Sequence, residues 1–219
     1  MIKQVATARP LSETVYIVDD DAAICEGLCN LLESVGLAAE HFPSAEEFLQ
    51  YWSIEKAGCL VLDVRLPGMT GVEFQEKMRQ CGIDIPIIFM TAHGDIPMVR
   101  KVMKAGAVEF LTKPFEIQEL LNAIEQAFVR DRCRRANEAT LNSIQSCINT
   151  LTAREREVMA MVTAGLLNKQ IAFELNLSEI TVKLHRRHVM EKMKASSLAE
   201  LVKLCERAKI PSSTGSNLH

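Results

Sequence analysis

The chain has 219 residues, of which 48% are apolar, and a formal net charge of −3. That length and apolar share suffice for two ordinary domains with packed cores, and they exclude disorder, collagen and fibrous coiled coil as the main state. The charge is unevenly spread: residues 1–127 carry 10 basic and 19 acidic side chains, net −9, while residues 128–219 carry 15 and 9, net +6, which points to two parts with opposite partners.

The first 14 residues hold no hydrophobic stretch before a cleavage site, and no apolar run approaches the ~18 to 20 residues needed to span a bilayer, so no membrane and a cytoplasmic location are expected. Seven cysteines, at 25, 29, 59, 81, 133, 147 and 205, form no CxxC pair. An odd number without that spacing predicts buried or half-buried free thiols, not a disulfide framework or a zinc site.

Residues 1–13 read as an N-terminal extension. Five short apolar runs follow, Val15 to Val18, Ala38 to Phe42, Cys59 to Leu62, Ile85 to Met90 and Val108 to Leu111. Three are continuously apolar, as strands are when both faces of a parallel sheet are covered. Between them apolar residues recur every three or four positions, as at Ile24, Leu28, Leu31, Leu32 and Val35 before Gly36, the pattern of an amphipathic helix with a glycine stop. Ser44 with Glu47, and Thr70 with Glu73, have capping-box spacing where the second and third helices should begin. Repeated βα units predict an α/β doubly wound, five-stranded parallel sheet of flavodoxin-like type over residues 14–128.

From Phe115 to Ala164 there is no Gly or Pro, so the junction, residues 129–150, reads as a helical linker. Thr152 and Glu155 form another capping box and open a second, all-α domain over 151–209, with helices near 153–164, 168–175, 179–193 and 197–208. Residues 210–219 are Ser-rich and read as a disordered tail.

In a parallel α/β sheet, ligands sit beyond the carboxyl ends of the strands. Those ends carry Asp19 and Asp20, Asp63, Thr91 and Lys113. Gathered carboxylates repel one another, and an oxygen-preferring divalent cation resolves the conflict while also binding a phosphoryl group. Lys113 and Thr91 could hold the remaining phosphoryl oxygens, so the set suits formation of an aspartyl phosphate with Asp63 as nucleophile. Each piece alone has a plainer reading: Asp19, Asp20 or Asp21 as a helix cap, Asp63 as a turn former beside Pro67 and Gly68, Lys113 as a strand terminus before Pro114. Their coincidence at one sheet edge favours the chemical reading. An aspartate-based phosphatase would need a second carboxylate where Asp63-Val64-Arg65 has Arg65, and a flavodoxin-like binder a Ser/Thr/Gly-rich loop after the first strand.

Val18-Asp19-Asp20-Asp21, Leu62-Asp63-Val64-Arg65-Leu66-Pro67-Gly68-Met69-Thr70-Gly71, Met90-Thr91-Ala92-His93 and Phe110-Leu111-Thr112-Lys113-Pro114-Phe115 resemble the receiver domain of two-component response regulators. The resemblance implies a phosphoacceptor that assists its own phosphotransfer, not an enzyme. Asp63 takes the phosphoryl group from a sensor histidine kinase. Asp20, Asp63 and the backbone carbonyl of Arg65 ligate Mg²⁺ (or Mn²⁺), with Asp19 acting through water. Thr91 and Phe110 form the switch pair, Ala92 leaves phosphate access open, and the Lys113 to Pro114 bond is expected to be cis.

In the basic part, Asn168 to Leu175, a break at Asn176 to Ser178 and Glu179 to Met193 have the spacing of a helix-turn-helix. On the second helix Val182, His185, Val189 and Met193 share one side, and Lys183, Arg187 and Lys194 the other, as a helix lying in a DNA major groove requires. His185 falls on the inward side and is expected to pack or hydrogen-bond. Leu151-Thr152-Ala153-Arg154-Glu155-Arg156-Glu157-Val158, Gly165, Asn168-Lys169-Gln170-Ile171-Ala172 and Ser178-Glu179-Ile180-Thr181-Val182-Lys183-Leu184-His185 resemble the LuxR-type DNA-binding domain. By that resemblance Lys183, Leu184 and Arg187 face bases, and Lys169 and Arg186 face phosphates. The pairing is similar to NarL/FixJ regulators, and Ala92 to Met98 with Met103 to Phe110 resemble the FixJ branch, which includes StyR and TodT.

The family pattern implies that phosphorylation favours a homodimer through about Ile96 to Lys113. Two recognition helices then meet double-stranded promoter DNA, and transcription by RNA polymerase is activated. A receiver that regulates without phosphate is the alternative reading.

Overall fold

A computed structural model describes residues 13–54, 56–92 and 96–210, so the expected extension, except Glu13, and the expected tail, except Ile210, lie outside the described residues. The chain divides into two compact units, Met1–Arg134 and Arg135–His219.

In the first unit five strands among the described residues form a parallel sheet: β1 (Thr14–Val18), β2 (Ala38–Phe42), β3 (Gly58–Asp63), β6 (Ile87–Thr91) and β7 (Glu109–Thr112), in the order β2-β1-β3-β6-β7. Two short strands, β4 (Arg65–Leu66) and β5 (Met69–Thr70), pair antiparallel as a small hairpin after β3. The helices are α1 (Ala22–Ser34), α2 (Ala45–Tyr51), α3 (Gly71–Gln80), α4 (Ile96–Lys104) and the start of α5 (Ile117–Asn149).

The pleat explains the continuously apolar runs. Val15 and Ile17 of β1, Val61 of β3 and Ile88 of β6 pack on one side with Leu28 and Leu32 of α1 and Leu120 and Ile124 of α5. Tyr16, Val18, Leu60, Leu62 and Phe89 point to the other side, against Phe48, Phe74, Met78 and Val102 of α2, α3 and α4. Successive side chains thus enter opposite cores, and burying each large one contributes roughly 1.5 to 3 kcal/mol. The expected fourth strand starts two residues later than its apolar run, at Ile87, because Pro86 has no N–H to give a ladder; its carbonyl accepts from Leu60 N at 2.9 Å instead.

The capping signals at Thr70 and Thr152 are complete boxes with Glu73 and Glu155, and Ser44 accepts from Glu47 N at 3.2 Å. Among the three consecutive aspartates, Asp21 is the one that caps α1, accepting from Ala23 N at 3.0 Å and Ile24 N at 3.2 Å. The junction is helical as expected: α5 runs unbroken for 33 residues. The Lys113 to Pro114 bond is cis.

The second unit takes Ile144 and Ile148 from the end of α5 into a core with α6 (Ala153–Thr163), α7 (Asn168–Glu174), α8 (Glu179–Lys192) and α9 (Leu198–Arg207). All seven cysteines are free. Cys25, Cys59 and Cys205 are buried and Cys29 and Cys147 half-buried, but Cys81 and Cys133 are exposed, against expectation: Cys81 is the residue that ends α3, and Cys133 lies on the solvent side of α5, two residues beyond the buried Asp131.

Candidate functional site

The order β2-β1-β3 places the reversal of strand order at β1 and β3, and the crevice beyond their carboxyl ends is where an open α/β sheet presents ligands. Asp19 leaves the end of β1 and Asp63 is the last residue of β3, and both side chains are buried. Lys113, just past β7, reaches both: its Nζ lies 2.5 Å from Asp19 Oδ2 and 3.3 Å from Asp63 Oδ1. Thr91, buried at the end of β6, fixes the lysine's backbone, its carbonyl accepting from Lys113 N at 2.7 Å.

The other oxygen of Asp63 accepts from Arg65 N at 2.9 Å, so the turn into β4 holds the carboxylate from below. Gly71, the first residue of α3, closes the same turn, donating its N–H to Val64 O at 2.8 Å. A Cβ on Gly71 would stand 2.6 Å from the Asp63 carbonyl oxygen and 3.1 Å from the Phe89 ring, so only glycine lets α3 begin this close to Asp63.

Burial raises the Asp63 carboxyl above the usual carboxylate range, although the Arg65 N–H and the Lys113 charge both act to lower it. Burial acts to lower the Lys113 ammonium, but its hydrogen bond to Asp19 and the charge of Asp63 outweigh this and raise it. Phe110 lies half-buried on β7 against the α2, α3 and α4 side of the sheet, paired in register with Phe89.

The expected trio of carboxylates is not drawn together. Asp19 and Asp63 converge on Lys113, whereas Asp20 is exposed, and among the described residues no group of three or more His, Cys, Asp or Glu side chains is placed to hold a metal. The physical reason is the ammonium, which neutralises the two inner carboxylates, while water screens the third. The donor set nevertheless fits a hard divalent cation, since carboxylates stand at the ends of β1 and β3 and such ions keep several waters and need only one or two carboxylates.

In the second unit α7 and α8 are joined through Asn176, whose φ of 52° turns the chain, and Ser178, which caps α8 through Thr181 N at 3.1 Å. Val182, Val189 and Met193 are buried, and Lys183, Leu184 and Arg187 are exposed on the opposite side. Arg187 Nε holds Glu191 at 2.8 Å on the surface. Lys169 is exposed in the first turn of α7, and Arg186 donates to Asn168 Oδ1 at 3.0 Å, tying the two helices. His185 faces inward, and its Nδ1 is shielded from solvent without a hydrogen-bond partner among the described residues, a packing role.

Two polar clusters had no signal in the sequence. Asp131 of α5 is 1% exposed and binds Gly58 N and Arg134. Glu155 does more than cap α6: Lys192 Nζ lies 2.6 Å from its Oε2 and His188 Nδ1 3.6 Å from its Oε1, which joins α6 to α8. Both depend on partners tens of residues away in sequence.

Two family models match: the response regulator receiver domain over residues 15–125, and the bacterial regulatory proteins of the luxR family over 149–205. Nodulation protein W of Bradyrhizobium diazoefficiens is 51% identical over 192 residues, covering 88% of this chain and 85% of that protein. Response regulator protein TodT of Pseudomonas putida is 46% identical over 198 residues, covering 90% and 87%. The solved structure of the response regulator StyR is similar at 49% identity and a TM-score of 0.79, over 90% of this chain and 99% of that one. Among the described residues no helix is long and apolar enough to cross a membrane. The chain belongs to the two-component response regulators that join a receiver domain to a LuxR-type helix-turn-helix domain, on the branch of FixJ, TodT and StyR.

Proposed function

We propose that Asp63 is the phosphoacceptor, and that residues 14–128 act as the receiver, 129–150 as linker and 151–209 as the DNA-binding domain. The observation that carries the proposal is the seating of Asp63 at the end of β3, one oxygen on Arg65 N and the other on the Lys113 ammonium. A carboxylate oxygen of Asp63 attacks phosphorus, the bond from phosphorus to the kinase's histidine nitrogen breaks, and that nitrogen keeps the electron pair. The pocket orients the attacking oxygen through the Arg65 N–H. Lys113 stays beside the new phosphoryl oxygens, and the Thr91 hydroxyl moves toward them while Phe110 fills the space it leaves.

Asp20, Asp63 and the Arg65 carbonyl would hold Mg²⁺ (or Mn²⁺), with Asp19 acting through water. When bound, the ion supplies positive charge to the transferring phosphoryl oxygens.

Phosphorylation shifts the receiver toward a homodimer only as far as phosphate stabilises that state over the monomer. Two helices α8 then engage double-stranded promoter DNA, the second contact being effectively intramolecular. Lys183, Leu184 and Arg187 face base edges, Lys169 and Arg186 face phosphates, and the bound dimer activates transcription by RNA polymerase in the cytoplasm. A sensor histidine kinase is the phosphodonor.

Acetyl phosphate with Mg²⁺ tests the acceptor directly. A hydroxylamine-labile phosphoryl adduct on Asp63 is expected, and its absence, or its presence on another residue, overturns the assignment.

A further inference from the structure

The outward strip of α8 is not uniformly cationic. Ile180 is 79% exposed and Leu184 51%, and neither belongs to the apolar core of the unit. Residues four apart on a helix have Cβ atoms about 5 to 6 Å apart, so the two aliphatic side chains adjoin. Lys183 and Arg187 lie three and seven positions beyond Ile180 and share the strip, while Val182 and Val189 are buried on the other side. Ile180 stands in the first turn after the Ser178 cap, the end of a recognition helix that enters the groove.

An apolar pair set among cations fits a partner that is polyanionic overall yet offers small apolar groups at fixed spacing. A protein surface matched to Ile180 and Leu184 would have to answer the flanking charges separately. Duplex DNA answers both at once, with phosphates along the groove walls and the C5-methyl of thymine on its major-groove edge. Cytosine presents an N4 amino donor there, and no aliphatic side chain can accept its hydrogen bond, so a C·G pair beneath Ile180 or Leu184 would leave a polar group desolvated.

We propose that Ile180 and Leu184 read thymine methyl groups in the major groove, flanked by the contacts of Lys183 and Arg187. The inference rests on the DNA-binding function proposed above and adds what that helix selects. Contact with thymine at one position favours the operator, and rejection of cytosine there excludes near matches, so discrimination has both an attractive and a repulsive part.

The full-length protein, treated with acetyl phosphate and Mg²⁺, serves to select binding sites from random duplexes. Each thymine of the selected half-site is then replaced singly by deoxyuridine, which removes the methyl group alone, and Kd is measured. The unaltered protein should lose about fourfold at two positions, the worth of one buried methyl. Ile180→Ala should be indifferent to the change at one of them and Leu184→Ala at the other, whereas Phe173→Ala, exposed on α7, should keep both losses. Because Ile180 and Leu184 lie outside the core and alanine is the strongest helix former, both variants should retain the far-UV circular dichroism of the parent. Insensitivity of the unaltered protein to every methyl, or sensitivity kept in both alanine variants, overturns the proposal while leaving DNA binding standing. Failure to select any site overturns the DNA-binding function itself, and the proposal with it.

Discussion

The carboxylate of Asp131 accepts a hydrogen bond from the backbone N–H of Gly58 at 3.1 Å, across 73 residues of sequence. Gly58 opens β3 at φ 143°, where a Cβ would fall 1.9 Å from the Thr14 carbonyl oxygen, so the strand can start there only on glycine. Its N–H therefore faces α5, and Asp131 answers it while also binding Arg134 at 2.5 Å. Asp131→Ala leaves a buried N–H and a mostly buried guanidinium without this partner, an expected loss of about 3 kcal/mol. Asp131→Asn keeps an acceptor for Gly58 and should lose less. Trp52 is the chain's one tryptophan and lies in the first unit, so urea unfolding followed by its fluorescence measures this loss.

Asp63→Asn should abolish the phosphoryl adduct without weakening the fold at neutral pH. Burial raises the Asp63 carboxyl in the folded chain, so its contribution to stability is present below the ordinary carboxylate range and is lost as pH rises through the raised value. At pH 7 an amide removes that cost, and the variant should unfold at the same or higher urea concentration than the parent. The difference should vanish below about pH 4, where the parent's carboxyl is protonated in both states. A variant less stable than its parent at pH 7 would show that the Lys113 and Arg65 contacts outweigh burial.

Glu155 behaves in the opposite sense. The hydrogen bond from Lys192 holds its carboxyl down at about 2, so the stability it contributes is present above about 4.5 and is lost as pH falls from there toward about 2. Glu155→Gln should cost about 1.5 kcal/mol at pH 7 and flatten that acid limb. Far-UV circular dichroism of the parent and variant across pH 2 to 6 gives the comparison, since the second unit has no tryptophan.

The two kinds of cationic side chain on α7 and α8 should separate by salt and by sequence. Lys169→Ala should weaken binding to all duplexes and reduce the slope of log K against log salt by about one. Arg187→Ala, which also frees Glu191 from its surface ion pair, should relax discrimination among operator variants by roughly 1 to 3 kcal/mol per position. Fluorescence anisotropy at several salt concentrations resolves both, and equal, sequence-blind losses in the two variants would remove Arg187 from the base-facing set.

Where sequence and structure agree, the cause is local. Alternating cores make the runs at Val15 to Val18 and Cys59 to Leu62 continuously apolar, and Thr70 with Glu73 carries its own capping geometry within four residues. Asp19, Asp63 and Lys113 were legible as a site because parallel strands bring their carboxyl ends to one edge. The neutralisation of the two inner carboxylates by Lys113, with Asp20 left in water, was not, because it depends on side-chain reach across 94 and 50 residues. The same holds for Asp131 and for the second task of Glu155. Ile180 belongs to the stretch that resembles the LuxR-type motif and lies off the Val182, Val189 and Met193 spacing, but only its exposure shows that it stands on the outward strip.

The packing of Gly71 against the Asp63 carbonyl has a genetic corollary. Every missense change at that codon adds at least one carbon where the backbone of Asp63 already lies, eight residues away along the chain. Alleles at position 71 should therefore phenocopy loss of Asp63 in a signalling screen while leaving every side chain of the pocket unaltered, and revertants should arise in the loop between them, not at the carboxylates.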